Sequence, residues 1–560
     1  MTQLAGDLEA NPPPAAGVKQ YFFDNAVVGE TERYRRLNRY EAHFRCTQYQ
    51  HQQYDWWGMN ADVAETVSPS VQVPLGFTQP ALQLLARQKR PTAPYNLPKA
   101  IVDRFTGLLF SDARKPDVEV EGDDDTDDFL HACMEQCRFW ARWREARALG
   151  GACGSVLVTI HLRDGRFIMQ AHNPKHVQIL WKDRRNLEPL GALIIYRYEK
   201  EEFATDPRTG EMTAQVVNYL YRRIITDVDD TVYKEVRLDP TANLAWEVES
   251  TVVHGLGEFP GVWVQNKATP DQGASDADGD PDCQGAWQTF DTIDRLLSQM
   301  NKALLLNLDP TLVLKIDPKE LAAQGGSVRK GSDNALYVGA NGGASYMEMV
   351  GGGVEAGHKL VERLKQNALD VTRCVLADPE KLSGAAQSAK AMEYLFAPML
   401  EQADELRSQW GDCGVVPILR LMLKIAQKFH GVTSEQNGQT VITELDLPPK
   451  ADGTPRKLGA SGWIRLKWGS YFAPTEADKH AQVSTVVAAK TAELIDSGTA
   501  TSQVAPIFGV QDAAAMAYKV AKEKSDEATR MFGSTYGEQP GTPVDTGEAP
   551  TPPAGQGGKP

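Results

Sequence analysis

The chain has 560 residues and a mass of 61.6 kDa, too long for one undivided core, since single cores stop growing near ~250–300 residues. Hydrophobic residues make up 42% and charged residues 24%, which excludes a wholly disordered, collagenous or coiled-coil chain. The formal net charge of −15 excludes a chain-wide basic footprint for phosphates, although a local patch can still touch DNA and an acidic wall lets it slide.

Residues 1–20 read as a flexible arm, with Asp7, Glu9 and three consecutive prolines where a signal peptide would be basic and apolar. No window approaches the ~18 apolar residues of a membrane span. Seven scattered cysteines (46, 133, 137, 153, 283, 374 and 413) predict reduced thiols in a cytosolic compartment. From Glu30 to Trp57 arginines alternate with aromatics, among them Arg33, Arg36, Arg39, Tyr40, Trp56 and Trp57. Such a mixture can stack on bases, but it reads more simply as an amphipathic helix with aromatics inward and arginines in water. Residues 80–110 look helical, broken by Pro91, Pro94 and Pro98, with Ile101, Phe105 and Leu108 as an apolar stripe.

Asp123, Asp124, Asp125, Asp127 and Asp128 precede an apolar helix predicted from Asp128 to Gly150, where carboxylates favour the helix N-terminus. Cys133 and Cys137 share a face of it, but no second pair follows at zinc spacing, so they read as core thiols. After Gly150, Gly151 and Gly154 the pattern turns to strands: Ser155–His161, a turn at Asp164-Gly165, Arg166–Ala171, then Val177–Trp181, Ala192–Tyr198, Val216–Tyr221, Thr231–Arg237 and Ala245–Val253. The fold class is α+β with an antiparallel sheet over about 151–265. Asp271–Asp282 reads as a linker. Asp276, Asp278 and Asp280 mimic a calcium loop, but Pro281 stands where it needs Gly and Trp287 where it needs Glu.

Trp287, Phe290, Ile293, Leu297, Met300 and Leu304 then recur at helical spacing until Asp309-Pro310. Thr311–Ile316 is strand-like, and 317–353 is glycine-rich and irregular. A second helix is predicted over 354–376, with Leu360, Leu364, Leu369 and Val375 apolar and His358, Lys359, Arg363, Lys365 and Arg373 elsewhere. After the loop Ala377–Gly384 comes a long helix, 385–429, interrupted at Pro398, Gly411, Gly414 and Pro417. Trp463–Trp468 alternates like a strand. Helices follow Pro474 to about Thr491–Asp496 and again over Gln511–Arg530, before a Pro/Gly tail that cannot bury a core.

Catalysis has no visible address. There is no G-x-S-x-G elbow and no H-E-x-x-H. Gly352–Lys359 approaches a phosphate loop, but His358 takes the lysine position and no Ser or Thr follows Lys359. The reading is of a non-enzyme without cofactor or metal.

The Asp291–Asn301 helix running into Leu308-Asp309-Pro310-Thr311-Leu312-Val313-Leu314, the Leu382-Ser383-Gly384-Ala385-Ala386 opening of the long helix with Pro398-Met399-Leu400, and the later Trp468-Gly469-Ser470, Pro474-Thr475-Glu476-Ala477-Asp478 and Leu494-Ile495-Asp496-Ser497-Gly498 stand in one order over about 100–530. In that order they resemble the portal proteins of tailed double-stranded DNA bacteriophages. The resemblance implies a multidomain subunit of a homo-oligomeric ring of about twelve copies at one capsid vertex. Residues 21–283 would be the wing, 284–306 and 354–376 the stem helices, and 307–353 the clip. Residues 377–390 would be the tunnel loop, 391–472 the long kinked helix and return to the wing, and 473–530 the crown, with 531–560 a disordered tail. Implied partners are the packaged double-stranded DNA, terminase, head-completion (adaptor) and tail proteins, and the major capsid and scaffolding proteins, with no membrane; the ring would assemble in the host cytoplasm and end in the virion.

By the same resemblance, Lys381, Lys390, Arg363 and Lys365 are the candidates for DNA contact. Asp378, Pro379, Ser383 and Gly384 shape the tunnel loop, Lys319, Arg329 and Lys330 face terminase from the clip, and Ile293, Leu297, Met300, Leu304, Leu360 and Leu364 pack the stem. Another ring-forming or scaffolding virion protein, or a DNA-processing enzyme with a dispersed site, stays open.

Overall fold

The computed structural model describes residues 15–25, 31–49, 91–205, 212–238, 246–269, 277–308, 311–315, 343–347, 352–376, 389–429, 434–436, 439–442, 445–450, 453–459, 463–471, 476–492, 494–508 and scattered positions of 516–524. The chain divides into two compact units, residues 1–379 with 393–471, and residues 380–392 with 472–560.

The first unit opens with α1 (Ala15–Asp24) and α2 (Glu32–Arg45). Thr31 caps α2 by accepting from Tyr34 N, and Cys46 ends it in the left-handed region, φ 59°. Arg35, Arg36 and Arg45 of α2 are exposed as expected, but its arginines also reach acidic partners. Arg33 clasps Asp278 through two contacts of 2.7 Å, Arg36 adds a third at 3.0 Å, and Arg39 meets Asp291 at 3.0 Å. Asp278 is reachable because residues 277–282, expected as part of a linker, lie against the fold with the Asp278 and Asp282 carboxylates turned inward.

Pro98 sits in the first turn of α3 (Leu97–Phe110), where its missing N–H is no loss, and Ile101, Phe105 and Leu108 are buried as the stripe requires. After β1 (Asp117–Glu121), the Asp123 side chain caps α4 (Asp124–Gln136) by accepting from Thr126 N at 3.0 Å. The single helix expected here is two, because Arg138 turns left-handed (φ 52°) and α5 (Phe139–Cys153) restarts with Phe139 stacked on Trp143.

The strands expected after Gly154 all form, and two antiparallel sheets result. One has the order β3 (Arg166–His172), β2 (Ser155–Arg163), β9 (Gly261–Gln265). The other runs β4 (Val177–Asp183), β5 (Glu188–Thr205), β6 (Met212–Thr226), β7 (Asp229–Arg237), β8 (Val248–Val253). Asp164 and Gly165, both at positive φ, make the β2–β3 turn, a geometry that matches strand twist. Leu157 and Trp263 of the smaller sheet pack on Ala192, Ile194 and Ile225 of the larger. The larger sheet's other face takes Val18 and Phe22 of α1 on Leu193, Ile195, Leu220 and Ile224.

Next come α6 (Trp287–Leu308), β10 (Thr311–Lys315), β11 (Gly343–Met347) and α7 (Gly352–Val371). β10 and β11 pair antiparallel, Thr311 opposite Met347 and Lys315 opposite Gly343, so part of the segment expected to be irregular is a strand. α7 stops five residues earlier than expected, and Val375 lies beyond it. α8 (Ala389–Arg407) passes through Pro398 unbroken and continues by a π-helical stretch, Ser408–Val415, into α9 (Val416–Phe429). A short hairpin, β12 (Ser434–Gln436) with β13 (Gln439–Ile442), precedes β14 (Trp463–Lys467), which pairs with β1 across the length of the unit. In the second unit α10 (Glu476–Thr491) is followed by α11 (Ser497–Val504), capped by Asp496, which accepts from Gly498 N and Thr499 N. Gln511–Arg530 and the tail lie mostly or wholly outside the described residues.

One polar knot ties the elements of the first unit. Arg147 of α5 and Asp282 are both fully buried and meet at 3.0 Å. Asn266 donates to Asp282 Oδ1 (2.9 Å) and accepts from Trp410 Nε1 (3.1 Å) of the π-helical stretch, and Arg147 lies over the Trp410 ring. A Cβ at Gly151 would fall 2.1 Å from Arg147 Nη1, so only glycine leaves room for the pair. Removing one member of such a pair strands the other charge, at about 3–5 kcal/mol. Arg147→Ala should therefore lower the unfolding midpoint by far more than Lys200→Ala, whose exposed pair with Glu235 is worth at most about 1 kcal/mol. Equal shifts in thermal melts would refute that ranking.

Candidate functional site

Helices α6 and α7 form an antiparallel pair, and glycines mark where they touch. A Cβ at Gly357 would meet Met300 Sδ at 3.0 Å, and one at Gly285, just before α6, would meet Val371 Cγ1 at 3.3 Å. Gly357, weighed above as part of a phosphate loop, thus serves close helix packing.

The first turns of α6 are nailed down by its polar face. Asp291, Asp294 and Ser298 recur at three and four residues and so line one side. Asp294 accepts from Tyr95 N (2.7 Å), Tyr49 Oη (2.9 Å) and Gln48 Nε2 (3.1 Å). Asp291 takes Arg39, and Tyr49 Oη at 3.1 Å. Ser298 Oγ accepts from Thr92 N and Ala93 N and donates to Asp294 O. Trp287 stacks on Tyr40 at 4.8 Å. Burial pushes the Asp294 carboxyl up to about 6, against the three donors that favour its charge, and holds the neighbouring His43 down to about 4 and neutral.

Ile293 is buried, and Leu297, Met300 and Leu364 are half-buried. Leu304, Leu305 and Leu360 are exposed, Leu305 at 60%. The hairpin is therefore rooted at one end and bares apolar side chains at several levels, Leu304 and Leu305 near the end of α6, Leu360 midway along α7 and Val371 (58%) beside the root. Burying three leucines of this kind contributes roughly 1.5–3 kcal/mol each, so their exposure leaves an unfilled face.

A model of the phage portal protein family, of the SPP1 Gp6-like type, matches residues 86–451, nearly two thirds of the chain. The chain belongs to the phage portal protein family. No curated protein matches it. As a portal protein it is a component of the phage capsid that acts in genome packaging. Among the described residues no helix of this portal protein is long and apolar enough to cross a membrane, and no group of three His, Cys, Asp or Glu is placed to hold a metal ion. Burial raises the Cys133 and Cys137 thiols to about 12 and about 11, far from the thiolate a metal would need.

Of the cations singled out in the portal protein, Arg363 is exposed on α7, whereas Lys365 is half-buried with its Nζ 5.5 Å from the Tyr95 ring centre. Lys359 pairs with Glu355 at 2.8 Å and His358 with Glu362 at 3.4 Å. Lys390 lies in the first turn of α8. Asp378, Pro379, Lys381, Ser383 and Gly384, and the clip candidates Lys319, Arg329 and Lys330, lie outside the described residues. Sequence reasoning missed the anchoring set Gln48, Tyr49, Asp291, Asp294 and Ser298. The available signal was three polar residues at helical spacing on a helix read only for its apolar side.

Asp294 is protonated more readily in the fold than in the unfolded chain, so its contribution to stability is full below the unfolded value and lost as pH rises through about 6. The stability of the wild type relative to Asp294→Asn should accordingly fall between about pH 4 and 6. A pH-independent difference in melting temperature would contradict it.

Proposed function

We propose that this chain is the subunit of a closed portal ring of about twelve copies, the channel through which the genome is packaged and ejected. The observation that carries the reading is the α6–α7 hairpin, held at its root by Asp291, Asp294 and Ser298 while Leu304 and Leu305 of α6 and Leu360 and Val371 of α7 stay bare. A monomer gains nothing from that exposure. Neighbouring hairpins packed side by side cover it, and the exposed polar residues of α7, Lys359, Glu362 and Arg363 among them, are left to face the channel.

In this reading α6 and α7 are the stem, and 307–353, including the β10–β11 hairpin, is the clip on which terminase and later the head-completion and tail proteins dock. Residues 377–390 are the tunnel loop and 473–530 the crown. The two-sheet body within 21–283 is the wing, facing the major capsid and scaffolding proteins. The ring assembles in the host cytoplasm and stays at one vertex of the virion. It acts without catalysis of its own. The net charge of −15 suits a channel that must not hold DNA, since each phosphate neutralised adds affinity and salt-sensitive drag. Lys381, Lys390 and Arg363 make transient contacts.

Native mass spectrometry of the full chain tests the ring: a closed species of about a dozen copies is expected, and a monomer at all concentrations would overturn it. Leu297→Asp with Met300→Asp should abolish that species by burying charge between helices, and wild-type rings from this variant would remove the stripe from the assembly. Lys381→Ala with Lys390→Ala should leave rings intact and change the amount of DNA packaged or retained per particle. Unaltered packaging would remove both lysines from the mechanism.

A further inference from the structure

Strands β5 and β6 outrun the sheet that contains them. β4 pairs with β5 only up to Ile194, and β7 pairs with β6 only from Tyr219 onward. From Glu199–Asn218 to Thr205–Met212 the two strands pair with each other alone, a ribbon of the kind that is marginal in water without a partner.

Side chains of directly opposed residues share a face, so the register sorts the ribbon into two sides. One carries Lys200, Glu202 and Tyr219, and it is satisfied within the chain: Lys200 pairs with Glu235, Glu202 with Arg237, and Tyr219 donates to Glu202. The other carries Phe203, Val216 and Met212, which are 65%, 56% and 70% exposed, with Glu199 and Glu201 beside them. This bare side continues the face that α1 covers nearer the sheet's centre with Val18 and Phe22. The cover stops and the apolar line goes on.

A second surface of the same unit has matching character. On β14 Trp463 is 65% exposed, with Arg420 of α9 over its ring at 5.1 Å. Arg465 and Lys467 lie on the same side of β14, and Lys424 one turn along α9. Arg465, Lys467 and Lys424 pair with Glu121, Glu119 and Glu258, whereas Arg420 has no carboxylate partner among the described residues. An exposed Trp with an Arg on its face is the composition of an interface hot spot.

We propose that in the ring the bare side of the β5–β6 ribbon of one protomer seats on the Trp463–Arg420 surface of the next, Phe203, Met212 and Val216 against the indole and Glu201 toward Arg420. The contact rests on the ring reading above and deepens it. Two different patches meet, so the interface is heterologous, and heterologous contacts with a closing rotation generate rings.

The test uses the full chain, with native mass spectrometry at a concentration where half of the wild type is in rings. Phe203→Asp with Met212→Asp alters only exposed side chains and should leave the melting temperature unchanged while lowering the ring fraction at least tenfold. Glu201→Arg alone should lower it several-fold, and adding Arg420→Glu should restore it. Wild-type rings from the double aspartate variant, or no restoration by the charge exchange, would overturn this contact while leaving the ring reading intact. Stable variant rings that fail to enter capsids would assign the ribbon to a capsid component and overturn it equally. A wild type without rings would overturn the ring reading and the contact together.

Discussion

A guanidinium and a carboxylate, both without access to solvent, hold the first unit in register. Arg147 comes from the helix before the sheets and Asp282 from the stretch that leads into α6. Asn266, which links them to Trp410, comes from the residue after β9. An ion pair taken out of water is stable only when its geometry is good and its remaining lone pairs are satisfied. Each of the three segments is therefore constrained by the other two. The position and tilt at which α6 begins are consequences of that constraint, and Asp294 and Ser298 then fix the helix further by accepting from backbone and side-chain donors of residues 48–95.

That division of labour separates the parts of the molecule. Most of the two large sheets, α3, α5 and α9 bury their apolar faces within the chain, while one side of the α6–α7 hairpin and the β5–β6 ribbon do not. Elements of the second kind are built from local pairing, helix on helix or strand on strand, and leave apolar side chains exposed. In a portal subunit this is an economical arrangement, since a body that buries its own core can present bare surfaces on elements that are already formed.

Much of the architecture was legible in the residues. Alternation over 155–253 and the Asp164-Gly165 turn specify the hairpins, because a period of two and paired positive φ values have few other solutions. The three- and four-residue steps from Trp287 to Leu304 specify α6. What was not legible is long-range. Nothing local says that β1 will pair with β14 some 350 residues away, that the arginines of α2 will find Asp278, or that Asp282 will be buried. The break at Arg138 was hidden because a left-handed arginine has no sequence signature. The site was half legible: the apolar stripe of α6 was read, its polar anchoring face was not, and the loop and clip cations fall outside the described residues.

The π-helical stretch between α8 and α9 carries one more consequence. Successive residues of an α-helix are rotated by about 100°, and a π turn holds one residue more than an α turn. Ser408–Val415 therefore acts as a phase shifter: it brings Trp410 to the polar knot and still delivers Ile418, Leu419, Met422 and Ile425 to the core. Length here is as binding as chemistry. Shortening this stretch by one residue would swing the whole apolar face of α9 sideways. Evolution of this helix can thus exchange side chains freely on its wet side, yet it is closed to the single-residue insertions and deletions that a surface loop absorbs.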